Sequence, residues 1–175
     1  PSSRVRPPAL HVKERPMAHL YLLQNHLEPA PAATPIAIDQ PVVEVLSSQE
    51  ITEARFLSPD MQESLRSIST VENTYLDVFP HCLIGSFAVP DKEHVLSDPL
   101  CFAFYLDAAH LVFLDDGTTC VRILDTIASY HIVKKPTVAH CLFEFMKLLV
   151  KNDLAFLADL EDRLEDVEEA IIDRG

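Results

Sequence analysis

The chain has 175 residues, 48% of them hydrophobic, and a formal net charge of −13. That size and apolarity suffice for one buried core plus an extension, and with no run of eighteen apolar residues the sequence has no bilayer-spanning helix. The acidity, with no basic patch interleaved with aromatics, excludes nucleic acid as a partner.

Residues 1–16 are basic but lack the apolar stretch of a signal peptide, and they read as a disordered arm or extension outside the fold. Residues 18–23, AHLYLL, predict a first strand headed by Met17. Between 28 and 41, prolines at 29, 31, 35 and 41 predict a loop or β-arm for most of the stretch, with room for a short strand at 36–38. VVEVL at 42–46 is a β-branched strand carrying one charge, and 48–55 is a fair helix start. Ser58-Pro59 is a better one: Ser as N-cap and Pro at the first helical position precede a stripe of Met61, Leu65 and Ile68, so a helix is expected from Pro59 to about Ile68. The aromatic and β-branched runs at 74–89, 99–107 and 110–114 predict two or three antiparallel strands joined by hairpins. Residues 115–119 compose a turn, and 120–129 is expected to pass from strand into helix.

Pro136 and Thr137 then open the longest periodic stretch. Val138, Leu142, Phe145 and Leu149, then Phe156, Leu157 and Leu160, then Leu164, Val167 and Ile171 recur in three-and-four steps up to Gly175. The expectation is one helix of about 37 residues, roughly 55 Å long at 1.5 Å per residue. Its distal part is acidic, with nine Asp and Glu from Asp153 onward against Arg163 and Arg174. The element order predicts an α+β fold, an α/β/α sandwich: a mixed, largely antiparallel sheet flanked by helices, with a long C-terminal acidic helix. The expected division is 1–16 as extension, 17–136 as the α/β domain and 137–175 as the helix.

Three glycines, at 85, 117 and 175, cannot form a phosphate-cradling loop, and neither G-x-S-x-G nor H-E-x-x-H occurs, so no enzyme is expected. The four cysteines, Cys82, Cys101, Cys120 and Cys141, include no C-x-x-C and suit a reducing cytosol. His81-Cys82 and His140-Cys141 offer zinc-type donors, but sequence neighbours seldom ligate one ion together, which favours buried thiols beside surface or hydrogen-bonded imidazoles. His94 and His110 lie near turns and are expected to be solvated. On the acidic helix, Asp162, Glu165 and Glu169 share one face. Such a face can bind hydrated Mg²⁺ or another divalent cation weakly, or serve only as a solvated surface.

The segment AHCLFEFMKLLVKNDLAFLADLEDRLEDVEEAIID resembles the first long helix of the cytosolic domain of CorA-like divalent metal-ion transporters, with Asp153, Phe156, Leu160, Glu161, Asp162, Leu164, Val167 and Glu168 at matching positions. CFAFYLDAAHLVFLDD resembles the strand pair before that helix, and VENTYLDVFPHCLIGSF more weakly the strand before those. The resemblance implies an N-terminal cytosolic regulatory and assembly domain at the cytoplasmic face of the membrane. In the full protein it would be followed by a second helix, a stalk and two membrane spans, and it would self-associate as a pentamer. It further implies a regulatory cation near Asp60 and Glu63. The Gly-Met-Asn pore signature of the family is absent, so transport would reside outside these residues. The alternative is a free-standing module that associates through its acidic helix.

Overall fold

The computed structural model describes residues 18–172 apart from 38, 72, 93–96 and 152, with side chains described as far as Glu165. The predicted arm at 1–16, His94 and Gly175 lie outside the described residues.

Seven strands form one sheet: β1 (His19–Leu23), β2 (Leu27–Ala30), β3 (Val42–Leu46), β4 (Tyr75–Val78), β5 (Leu83–Val89), β6 (Leu100–Leu106) and β7 (His110–Leu114). Their order across the sheet is β2-β1-β3-β7-β6-β5-β4. Every neighbouring pair is antiparallel except β3 and β7, which run parallel. The predicted mixed, largely antiparallel sheet is therefore present.

Alternation along the central strands sorts side chains to two faces. Val43, Val45, Phe102, Phe104, Leu111 and Phe113 point to one core, which is closed by helices α2 (Thr119–Ser129) and α3 (Val138–Leu149) through Leu124, Ile127, Val138 and Phe145. Leu46, Ala103, Val112 and Leu114 point to the other, closed by Ile51 of a 3₁₀ turn (Ile51–Glu53) and Leu65 of α1 (Pro59–Ser69). The result is the three-layer α/β/α arrangement. Val138, Leu142 and Phe145 are the buried stripe of α3, as the period required.

The predicted caps form. The Ser58 side chain accepts from the Met61 N–H, and that of Thr137 accepts from the His140 N–H at 3.2 Å.

Four local expectations are corrected. The strand in the proline-rich stretch lies at Leu27–Ala30, and Ile36 and Ala37 are outside any strand while residue 38 is not among the described ones; β2 is an edge strand, where Pro29 can sit with no ladder N–H needed. The 74–89 run is two strands, split at Pro80, with the Phe79 N–H bonded to the Cys82 carbonyl. Residues 120–129 are helical throughout, since the Asp115 carboxylate accepts the N–H of Gly117 and of Cys120 and so starts α2 directly after β7.

The fourth correction is the largest. The expected single helix is two, α3 and α4 (Asp153–Ile172), interrupted after Leu149.

Candidate functional site

The interruption sits where sequence and tertiary structure act together. Lys151-Asn152-Asp153 combines a basic residue with two residues that compete for backbone bonds. The Lys92 ammonium, arriving from the β5–β6 connection, donates to the carbonyls of Leu149 (3.3 Å) and Lys151 (3.1 Å) and pairs with the Asp153 carboxylate. In an unbroken helix the Leu149 carbonyl would accept from the Asp153 N–H. Here that N–H turns to Val150, and Lys92 takes the carbonyl instead. One side chain thus caps α3, pairs with an acid at the start of α4 and fixes the corner between them.

Beyond the corner, α4 leaves the core. Leu154, Leu157 and Leu164 are 85%, 55% and 63% exposed, and Phe156 and Leu160 are half-buried. Asp159 and Arg163 pair at 2.8 Å on the surface, one turn apart. α4 is an acidic rod whose apolar residues are largely uncovered as far as Leu164.

The acids expected to hold a cation fall into two sets that the fold does not bring together. Asp60 and Glu63 are exposed on α1, on the opposite face of the sheet from α3, which leads into α4. Asp162 and Glu165 are exposed on α4, while the Glu169 side chain lies outside the described ones. Among the described residues no group of three or more His, Cys, Asp and Glu is arranged around a common point for a metal ion.

Cys141 is fully buried, and desolvation pushes its thiol up to about 12, while the half-buried His140 ring lies 3.8 Å from the Glu144 carboxylate. His81 is exposed. His110 corrects the expectation of a solvated ring: it stacks on Phe56 with centroids 4.2 Å apart, and its Nδ1 lies 3.0 Å from Asp107.

Asp107 closes the β6–β7 connection. It accepts the N–H groups of Ala109 and His110 and the Tyr105 hydroxyl, so Ala108-Ala109 needs no glycine. Burial alone would raise this carboxyl, but the His110 ring and the two backbone donors hold it below its ordinary value. Glu44 has the opposite balance. It is 3% exposed on the α1 face, and one carboxylate oxygen, Oε2, has no hydrogen-bond partner among the described residues. Desolvation raises it against the pull of Arg55, whose backbone N–H it accepts.

An open cleft of about 370 Å³ lies between the β1–β2 hairpin and the end of α2, lined by His26, Glu28, Asp125, Ser129 and His131. Its polar groups largely satisfy one another: His26 pairs with Glu28 at 2.9 Å and stacks on His131, and Asp125 accepts the Tyr21 hydroxyl at 2.8 Å.

Lys92, Asp107 and the buried Glu44 are the polar residues that sequence reading did not single out. Only Glu44 carried a signal, as the one charge within a β-branched run. Among the described residues no helix is long and apolar enough to cross a membrane.

No family model matches the chain, and no curated protein matches it in sequence. In fold it is similar to the CorA magnesium transporter from Methanocaldococcus jannaschii, with a TM-score of 0.66 at 13% identity over 90% of this chain and 52% of that one. It is similar to the full-length CmaX protein, with a TM-score of 0.64 at 12% identity over 87% and 50%. A third likeness is to the ZntB cytoplasmic domain from Vibrio parahaemolyticus, with a TM-score of 0.64 at 10% identity over 85% and 63%. The chain therefore spans about half the length of the first two and under two thirds of the third. The resemblance carried by the terminal helix residues extends to the whole fold.

Proposed function

We propose that this chain is the cytosolic regulatory and assembly domain of a divalent metal-ion transporter, with Mg²⁺ as the leading candidate ion and the pore in residues outside this sequence. The observation that carries the reading is the fold likeness to a magnesium transporter over 90% of the chain. It is joined to an acidic helix whose leucines stand 55–85% exposed where another helix can cover them. The lack in the sequence of a phosphate-cradling glycine pattern, of G-x-S-x-G and of H-E-x-x-H supports a role other than catalysis. The domain sits at the cytoplasmic face of the membrane, held there by spans outside the chain, and it self-associates in the assembled protein as a pentamer.

Regulation by the transported ion gives the acids their role. Mg²⁺ keeps most of its waters and takes only one or two carboxylates. Asp60 and Glu63 on α1, and Asp162, Glu165 and Glu169 on α4, can each supply part of such a shell, completed by an acid from another subunit or segment. Millimolar Mg²⁺ is then expected to raise the melting temperature beyond a control matched in ionic strength, an increment that Asp162→Asn with Glu165→Gln reduces. Equal melting in Mg²⁺ and in the control refutes sensing by this chain alone.

The exposed seam also fits a free-standing module that associates through α4. The parent reading frame separates the two: two apolar spans after these residues support the transporter, and a stop codon directly after Gly175 supports the module.

A further inference from the structure

The distal part of α4 carries more acid than the described residues neutralise. Residues 161–169 hold Glu161, Asp162, Glu165, Asp166, Glu168 and Glu169 against Arg163, which is already paired with Asp159. Glu161, Asp162 and Glu165 are exposed and form no ion pair among the described residues. The 3.6-residue period sets Phe156, Leu160, Leu164 and Val167 on one side of the rod, and Glu161, Asp162, Glu165, Asp166 and Glu169 on the other. A helix or a neighbouring subunit, in five-fold order included, can therefore cover the apolar seam and leave the acidic side open.

The complementary charge lies in the same chain. Residues 1–16 hold Arg4, Arg6, Lys13 and Arg15 against Glu14, four of the fourteen Lys and Arg of the sequence in one short run. Of the others, Arg55 is bonded to the carbonyls of Ala32 and Thr34, Lys147 is paired with Glu144, and Lys92 with Asp153. Lys134 and Lys135 precede α3 at the end remote from α4, a helix length of about 18 Å away.

Reach follows from the sheet. β1 starts with His19 opposite Val45, near the end of β3; β3 runs parallel to β7, whose Leu114 is opposite Ala103 near the start of β6. The start of β1 thus lies at the sheet end where the β5–β6 connection brings Lys92 to the α3–α4 corner. Three strand spacings separate β1 from β6, about 14 Å, and Glu161 is eight residues beyond Asp153, about 12 Å further along α4. Extended chain from Ala18 back to Arg4 spans up to about 46 Å and reaches these acids with slack, whereas Lys13, at about 17 Å, stops short.

We propose that residues 1–16 dock on the acidic side of α4 of the same chain, with Arg4 and Arg6 against Glu161, Asp162 and Glu165. Exposed ion pairs are individually weak, and the tether lets several act together by raising their effective concentration. Asp162 and Glu165 are also among the acids offered to Mg²⁺ above, so the docked segment is a built-in competitor for that cation. The contact itself rests on charge and reach; only the competition rests on the transporter reading.

The test is nuclear magnetic resonance of the 175-residue chain in Mg²⁺-free buffer, with a nitroxide on Ser3→Cys and with Cys82 and Cys101 replaced by Ser. Cys120 and Cys141 are buried and stay unlabelled. The nitroxide is expected to broaden the amides of residues 159–169 and to leave those of α1 sharp. The broadening is expected to vanish in Arg4→Glu with Arg6→Glu and to return when Glu161→Arg and Glu165→Arg are added. It is also expected to vanish at about 1 M NaCl, where the Debye length is about 3 Å. Unbroadened α4 amides overturn the proposal, as does broadening that survives reversal of Arg4 and Arg6, or that the second reversal fails to restore. So does broadening of equal strength when the nitroxide is on one copy and the observed isotope on another, which places the segment on a neighbour. With Mg²⁺ absent, none of these outcomes bears on ion transport.

Discussion

Two residues hold conformations or charges that their surroundings oppose, and both give measurable consequences. Glu44 is buried in the sheet with one oxygen unpartnered, and desolvation holds its carboxyl above the ordinary 4.5. A raised folded value means that the folded state binds the proton more tightly than the unfolded one. Stability from Glu44 is therefore full below pH 4.5 and is lost as pH rises through the folded value. Glu44→Gln, which keeps an acceptor for the Arg55 N–H, is expected to stabilise the protein by about 1 kcal/mol at pH 8 and by almost nothing below pH 4. Parallel denaturant titrations at the two pH values measure this.

His131 ends α2 at φ 51, with its own N–H bonded to Ala128 and that of Ile132 bonded to Ile127, the paired bonds of a Schellman cap. A side chain in this left-handed region is strained. His131→Gly is expected to add about 0.5–1 kcal/mol of stability, net of the lost stacking on His26, whereas His131→Ala adds none.

At the level of elements, what was legible depended on whether the determining bonds were local. The Ser58-Pro59 start of α1 and the Thr137 cap of α3 were readable because cap and capped N–H lie three residues apart. The order of β-branched and aromatic runs and of helical periods predicted the sandwich, because each run marks its own element without knowledge of the partners. The break at Leu149 was not readable from period alone: the stripe continues through Phe156 and Leu160, and the decisive donor, Lys92, is 57 and 59 residues from the carbonyls it caps. Helical propensity lost there to a charge arriving from a hairpin. Similarly, the helical start of α2 depends on Asp115 side-chain bonds to Gly117 and Cys120, and composition suggested only a turn. The acids of the candidate cation sites were legible as acids, but their separation onto α1 and α4 was not.

Lys92→Met keeps the aliphatic stem and removes the charge. It is expected to speed hydrogen exchange in the first turn of α4 about tenfold, roughly 1.4 kcal/mol for charged hydrogen bonds that are partly screened. Exchange in α1, on the other face of the sheet, is expected to stay unchanged. Equal acceleration in both helices would mean that Lys92 supports the whole domain instead of the corner.

For the molecule as a whole, charge and shape act in the same direction. Over half of the net charge of −13 is concentrated from Asp153 onward, on a helix that contributes little to the core. The α/β/α layers have their own two apolar clusters, while the arm is built to meet something else. The proposed transporter supplies that something in the next helix and neighbouring subunits, and it places a cation-attracting surface on the cytoplasmic side.

Ion flux through the parent protein tests this most directly. Purified from its complete reading frame and reconstituted in liposomes loaded with a divalent-sensitive dye, it is expected to admit Mg²⁺ down a gradient at a rate well above empty liposomes. Folded, reconstituted protein that passes neither Mg²⁺ nor Zn²⁺, Co²⁺ or Ni²⁺ would contradict the account.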